Sequence, residues 1–177
     1  MVGTESVEVE RRGRLEMEGG PLIVADRHLL GSWRGVEGDG ADYRRACDFF
    51  DQFPEVEGGT IPMRSGAALL WEMRGGGTAD VFVLPGPEVL VVRTWQHDPL
   101  DEETPGELAT TSADETMLIG ELTVTAGSLG VLWAAEEGAL VGKVGVEVKL
   151  PNGTYVCRHE LTHGRGGHAR RLRISPS

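Results

Sequence analysis

The segment Asp80-Val-Phe-Val-Leu-Pro-Gly-Pro-Glu-Val-Leu-Val-Val-Arg-Thr-Trp95 shows most directly how this chain folds. Its two apolar runs, 80–84 and 88–95, are rich in valine, and β-branched residues favour extended strands. Pro85-Gly86-Pro87 separates the runs, and proline with glycine favours a chain reversal. The segment therefore predicts two neighbouring antiparallel strands.

Similar apolar runs recur on both sides of this segment. They cover residues 21–25, 60–63, 67–73, 117–125, 129–134, 142–150, 154–162 and 172–174. Pro151-Asn152-Gly153 lies between two of these runs, and Asn-Gly is a strong hairpin signal because it tolerates positive φ angles. About ten short strands must bury their apolar faces against one another. We therefore predict a mostly β (α+β) fold, either an antiparallel β-sandwich or a half-open barrel.

Residues 42–53 carry a helical pattern instead of a strand pattern. The apolar residues of this segment follow the i, i+3, i+4, i+7 spacing of one helix face: Tyr43, Ala46, Cys47 and Phe50. Pro54 cannot continue a helix and should end it. The sequence thus predicts one amphipathic helix near residues 42–53.

Length and composition predict a single domain. The chain has 177 residues, of which 40% are hydrophobic and 25% charged, as is typical of globular proteins. We expect a flexible N-terminal tail at 1–14 and one domain at 15–177. Neither a signal peptide nor an apolar run of about 18 residues is evident, so the expected location is the cytoplasm. Cys47 and Cys157 are then expected to be free, buried thiols.

Charge is unevenly distributed along the chain. The net charge of −11 disfavours a general nucleic-acid-binding protein, which needs a basic surface. Residues 94–142 contain ten acids and no lysine or arginine, whereas residues 143–177 contain seven such bases and two acids. Much of the acidic block is the polar segment 97–115, which predicts a long loop, and long loops are often functional. The block either neutralises the basic C-terminus or forms an acidic docking surface for a basic partner.

Catalytic and metal-binding patterns are sparse. His159, His163 and His168 offer three imidazoles, which is a possible zinc-ligand set, but their segment is predicted to be a strand running into glycines. A nucleophile elbow and a phosphate-binding loop are both missing from the sequence. We therefore predict a non-catalytic binding protein without metal or cofactor, and we keep a histidine-ligated metal enzyme as a weaker alternative.

Several motifs resemble one known family. They are Glu18-Gly-Gly-Pro-Leu-Ile-Val24, Leu30-Gly-Ser-Trp-Arg-Gly35, Asp42-Tyr-Arg-Arg-Ala-Cys47, Gly127-Ser-Leu-Gly-Val-Leu-Trp133 and Leu150-Pro-Asn-Gly-Thr-Tyr-Val156. Together they resemble the bacterial immunity protein 21 family, whose members are encoded beside polymorphic toxins. The resemblance spans about residues 15–175 and is most specific at 18–47. It implies binding and neutralisation of a cognate toxin, and it transfers no catalytic residue.

The acidic block then becomes the candidate toxin-binding surface, because many antibacterial toxins act on nucleic acid and have basic active sites. Trp95 is a candidate anchor, since tryptophan is a frequent interface residue. The candidate contact residues are Trp95, Asp98, Asp101, Glu102, Glu103 and Glu107, with Glu37, Asp39, Arg44 and Asp48 as secondary candidates. The expected partner is a basic toxin protein, with no nucleic acid or membrane, and the oligomeric state stays open. A small-molecule-binding β domain, for a sugar or nucleotide, is the alternative function.

Overall fold

The computed structural model describes residues 9–72, 75–95, 104–164 and 167–177. In these ranges the chain forms eleven strands and four α-helices. The strands are β1 (Glu10–Met17), β2 (Leu22–Asp26), β3 (Gly58–Met63), β4 (Gly66–Trp71), β5 (Gly77–Leu84), β6 (Glu88–Trp95), β7 (Glu115–Val124), β8 (Ser128–Trp133), β9 (Val146–Lys149), β10 (Gly153–Gly164) and β11 (Gly167–Pro176). The helices are α1 (Arg27–Leu30), α2 (Ala41–Gln52), α3 (Thr104–Thr110) and α4 (Val141–Val144), and a short 3-10 helix covers Gly138–Leu140.

The strands form two antiparallel sheets. The six-stranded sheet has the order β1-β5-β6-β11-β10-β7, and the five-stranded sheet has the order β3-β4-β2-β8-β9. The predicted reversal at residues 85–87 joins β5 to β6, which pair directly with Val81 opposite Val91. The predicted mostly β sandwich is thus confirmed.

The main core lies between the two sheets. Alternate residues along each strand point to opposite faces, so each sheet contributes every second side chain to this layer. The six-stranded sheet contributes Val81, Val91 and Leu172, and the five-stranded sheet contributes Val24 and Val131, all 0% exposed. Burial of this apolar layer stabilises the sandwich by roughly 25 cal/mol per Å² removed from water.

Helices cover the outer faces of both sheets. The predicted amphipathic helix is confirmed as α2, which packs Ala46 and Phe50 against Ile23 and Leu70 of the five-stranded sheet. α3 packs Leu108 and Ala109 against the outer face of the six-stranded sheet. The structure therefore corrects the prediction of a loop throughout 97–115, because apolar burial orders Thr104–Thr110 as a helix.

The predicted hairpin at Pro151-Asn152-Gly153 is wrong. β9 pairs with β8 in one sheet, whereas β10 pairs with β7 and β11 in the other. The connection is held by Gly127: its N–H donates to the Asn152 side-chain oxygen over 2.9 Å, and its carbonyl accepts from the N–H of Leu150 over 3.1 Å. Asn152 therefore bonds to the β7–β8 turn while the chain crosses between sheets.

Two predicted boundaries also change. The strand predicted at 142–150 begins as α4, whose last turn is closed by the N–H of Gly145 donating to the carbonyl of Val141. Of the predicted tail 1–14, residues 1–8 lie outside the described residues, and Glu10–Arg14 belong to β1, which pairs with β5. Both cysteines are free: Cys157 is buried and Cys47 half-buried.

Asp26 holds the β7–β8 turn against the end of β2. Its carboxylate accepts hydrogen bonds from the backbone N–H groups of His28 (2.7 Å), Thr125 and Ala126 (2.9 Å) and from the Thr125 hydroxyl (3.0 Å). Burial raises the pKa of Asp26, but these four hydrogen bonds outweigh it and lower the pKa below 3.8. In the described part of the chain, no helix is long and apolar enough to cross a membrane.

Candidate functional site

Charged side chains meet in the core layer at one end of the sandwich. Arg93 and Arg170 lie opposite each other on β6 and β11, two positions beyond the apolar residues Val91 and Leu172. We call the group formed by Glu57, Glu72, Arg93 and Arg170 the end cluster.

The end cluster links the two sheets. Arg93 donates to the carbonyl of Glu72 over 2.8 Å and to that of Gly75 over 2.7 Å. Arg170 contacts the Glu57 carboxylate and lies 3.1 Å from the Glu72 carboxylate. Burial lowers the pKa of Arg93, and the negative charge of Glu72 opposes this effect. The charges compensate one another, as buried charges must.

Glu72 adopts a strained backbone conformation in this cluster. Its φ angle is +47°, in the left-handed region that glutamate rarely adopts, and it is 1% exposed. Its N–H donates to the carbonyl of Glu57 over 2.8 Å. Such strain persists only where the surrounding contacts determine it, and here both arginines bond to Glu72.

Trp71 and His159 form a buried hydrogen bond beside the end cluster. The Trp71 indole N–H donates to Nδ1 of His159 over 3.0 Å. Nδ1 is therefore the acceptor nitrogen, and a neutral His159 carries its proton on Nε2. His159 is 4% exposed and forms part of the floor of a small cavity.

This cavity, of about 160 Å³, opens beside the first half of β7. Its lining comprises Glu57, Glu115, Thr116, Met117, His159 and Leu161. Met117 is 51% exposed, and the next residue, Leu118, is 64% exposed. Apolar side chains that are this exposed and adjoin one another at a sheet edge indicate a possible site of protein–protein contact.

A second buried ion-pair network lies on the outer face of the six-stranded sheet. Arg171 donates to Glu160 over 2.6 Å and to the carbonyls of Leu108 and Thr111, each over 2.6 Å. Arg173 also donates to Glu160, over 2.7 Å. Burial lowers the pKa of Arg171, and Glu160 opposes this effect. Arg171 thereby attaches the C-terminal end of α3 to the sheet.

These networks account for much of the basic C-terminus. Arg170, Arg171 and Arg173 form ion pairs with acids from elsewhere in the chain: Glu57, Glu72, Glu88 and Glu160. None of these four acids belongs to the acidic block 94–142. Over the ranges given above, Glu107, Glu115 and Glu121 of that block are exposed and form no ion pair.

The candidate toxin-binding residues are only partly located. Asp98, Asp101, Glu102 and Glu103 lie outside the described residues. Trp95 is the last residue of β6, and its backbone pairs with Gly77. Glu107 is exposed on α3.

The secondary candidates lie around the start of α2. Glu37 and Asp39 are exposed in the loop before the helix, and Arg44 and Asp48 are exposed on it. Asp39 accepts from the N–H of Ala41 over 3.0 Å, and its carbonyl accepts from Arg44 over 2.7 Å. Two of these four residues thus also stabilise the helix N-terminus.

The histidines are placed apart. His159 and His163 are four residues apart on β10, which corresponds to about 13 Å at 3.3 Å per residue. His163 contacts Asp114 over 2.7 Å, and hydrogen bonds from its side chain and backbone lower the pKa of Asp114. His168 pairs with His163 through the backbone, and its side chain lies outside the described residues. Among the residues that are described, no three His, Cys, Asp or Glu side chains converge as metal ligands.

Sequence reasoning missed the end cluster and the Arg171 network. A signal was present, because Arg93 continues the apolar run of β6 at a position that alternation places in the core layer. The pairing of Glu57 with Arg170 could not be found this way, since these two residues are 113 positions apart.

Comparison with known proteins finds no matching family model, no matching curated protein and no matching solved structure. The resemblance to the immunity protein 21 family therefore stays a prediction.

Proposed function

We propose that this chain is a non-catalytic immunity protein that binds and neutralises a basic toxin of a polymorphic toxin system. The proposed setting is competition between bacteria, and the proposed location is the cytoplasm. Binding is proposed to occur through the acidic block, to which the candidate residues 95–107 belong.

One observation carries this proposal. Three C-terminal arginines are consumed by internal ion pairs, whereas Glu107, Glu115 and Glu121 project into solvent without an ion pair among the described residues. His163 contacts Asp114 of the block, but the three arginines pair with acids outside it. Neutralisation of the block by the C-terminal arginines therefore loses support, and the acidic docking surface gains it.

An unneutralised acidic surface suits an inhibitor of a basic protein. Complementary potentials raise association rate constants from about 10⁵–10⁶ to about 10⁸–10⁹ M⁻¹s⁻¹ at low salt. Fast association matters for an immunity protein, because the toxin must be captured before it reaches its target. The same mechanism predicts that binding weakens as salt is added.

The experiment is co-expression with the protein encoded by the neighbouring upstream gene, measured by growth and by pull-down. Rescue of growth together with a stable complex is the expected result. A triple variant, Glu107→Gln/Glu115→Gln/Glu121→Gln, should slow association and flatten its salt dependence. The control, Glu16→Gln/Asp51→Asn/Glu55→Gln, removes the same charge from exposed acids outside the block and should bind normally. Equal binding by both variants, or the absence of a complex with wild type, would contradict the proposal.

A small-molecule-binding β domain is the second candidate, favoured by one depression. Its volume is about 530 Å³, and Trp133, Thr78, Glu16 and Glu18 contribute to its lining. An indole beside carboxylates and a hydroxyl is a combination that can bind a sugar ring. This candidate is tested by titrating wild type and Trp133→Phe with a panel of monosaccharides while tryptophan fluorescence is monitored. A saturable change lost in the variant would support it.

A further inference from the structure

The first half of β7 is an open strand edge. β7 is the last strand of the six-stranded sheet, and among the described strands it pairs only with β10. Glu115, Thr116, Met117 and Leu118 are all exposed, whereas Leu122 and Val124 near its end are buried. The first half of β7 therefore extends past the core, and no second strand of the described residues pairs with its backbone over residues 115–118.

This edge has little of the protection that natural sheet edges usually have. Such edges are blunted by charged residues, above all lysine, by proline, by a β-bulge or by a covering element. Among the described residues, positions 115–118 have one of these, the charge of Glu115, because the β-bulge of β7 comes after them, between Leu118 and Gly120. The β7 sequence ETMLIGELTV contains neither lysine nor proline. Met117 and Leu118 are consecutive, so they project from opposite faces of the strand, and both are more than half exposed. An added strand would find apolar contacts on both faces.

We propose that this β7 edge, residues 115–118, accepts an extended cationic segment of the partner as an additional strand. The inference rests on the proposed function and specifies where and how the partner binds. Strand addition supplies affinity through main-chain hydrogen bonds and specificity through alternate side chains. The cavity of about 160 Å³ beside Met117 then receives the stem of a partner lysine or arginine, with Glu115 at its rim.

Charge favours a basic partner over a second copy of this chain. Two copies of this chain would each carry a net charge of −11 and would repel each other at long range. In an antiparallel self-pair over residues 115–118, Glu115 of one copy would face the apolar Leu118 of the other, so its charge would gain no partner. A cationic segment places an opposite charge beside Glu115, which has no ion pair among the described residues.

The first test needs no toxin. The probe is a blocked heptapeptide of alternating lysine and valine, with a glutamate–valine peptide as its counterpart, titrated into the full chain and followed by amide resonances. The cationic peptide should give saturable shifts at Glu115–Leu118, and Leu118→Lys should weaken binding by about 30-fold or more, the size of a hot-spot loss. Val36→Lys is the matched control, because Val36 is 53% exposed and lies outside β7.

The peptide titration would overturn the inference if it gave no shifts at β7, equal shifts with the acidic peptide, or unchanged binding by Leu118→Lys. Light scattering of the chain alone provides a further check. If wild type is a dimer and Leu118→Lys is a monomer, the β7 edge binds a second copy of this chain, and the proposal of a cationic partner segment is wrong.

Co-expression separates this inference from the proposed function. If wild type and Leu118→Lys rescue growth equally, the immunity role holds and the β7 edge is not its docking site. If wild type fails to rescue growth but the cationic peptide binds at β7, the immunity role is wrong, and the β7 edge still prefers a cationic extended segment. If wild type rescues and Leu118→Lys does not, while Val36→Lys does, both are supported.

Discussion

Replacement of Arg171 by methionine should detach α3 from the sheet. Arg171 is 0% exposed and is held by Glu160 and by the carbonyls of Leu108 and Thr111. Methionine keeps much of the apolar stem and removes the guanidinium. α3 carries Glu107, one of the candidate toxin-binding residues, so its attachment also determines the position of that side chain.

The structure indicates a large loss of stability. Removal of one partner from a buried ion pair costs about 3–5 kcal/mol, because the remaining charge stays buried with less compensation. Glu160, 4% exposed, would keep only Arg173. The control Arg173→Met removes a side chain that is 26% exposed and leaves Glu160 paired with Arg171, so it should cost about 1 kcal/mol.

Urea unfolding measures both variants, and hydrogen exchange locates the effect. A difference of about 2 kcal/mol or more corresponds to midpoints separated by about 1 M urea. Exchange of the α3 amides should accelerate in Arg171→Met and not in Arg173→Met. The double variant Glu160→Leu/Arg171→Met should be more stable than Arg171→Met alone, because it removes the buried charge. Equal losses of stability in the two single variants, or protected α3 amides in Arg171→Met, would contradict this prediction.

Three further predictions concern the rest of the fold. Asp26→Ala should lower the free energy of unfolding by about 3 kcal/mol in urea titrations, because three backbone N–H groups lose their acceptor. The stabilisation from Asp26 is complete above about pH 3.8 and is lost as the pH falls through its lower folded-state pKa. In thermal melts at acid pH, wild type should therefore lose this stabilisation, whereas Asp26→Ala has none to lose. Gly138→Ala should cost more than about 2 kcal/mol, since its Cβ would lie 2.0 Å from the carbonyl oxygen of Leu30, whereas Gly142→Ala meets nothing within 4 Å and should be neutral or stabilising by thermal melting. Burial raises the pKa of Cys157 to about 12, so a disulfide reagent at pH 8 should modify Cys47 first in the native protein, and equal rates for the two thiols would contradict this.

The candidate site was only partly predictable from sequence. The acidic block was evident from composition, and Glu107, Glu115 and Glu121 are indeed exposed. The burial of the C-terminal arginines was not evident from the sequence. Arg171 and Arg173 alternate with apolar residues, and this pattern fits either a solvent-exposed face or a face covered by another element. Their burial depends on α3, whose seven residues lie in a segment that reads as a loop.

Local chemistry alone determined most of the strands, α2 and the reversal at residues 85–87, because each depends on spacing within about a dozen residues. It missed Glu10–Arg14 of β1 and the helix α4 at the start of the run 142–150. Tertiary structure decided which strands pair. Asn152-Gly153 is compatible with a hairpin, yet β9 and β10 join different sheets. β9 pairs with β8, β10 pairs with β7 and β11, and the Asn152 side chain bonds to Gly127. Tertiary structure also decided which charges are neutralised. Glu57 meets Arg170, and Glu160 meets Arg171, only after the sheets have formed, and desolvation then makes the pairing of each buried charge obligatory.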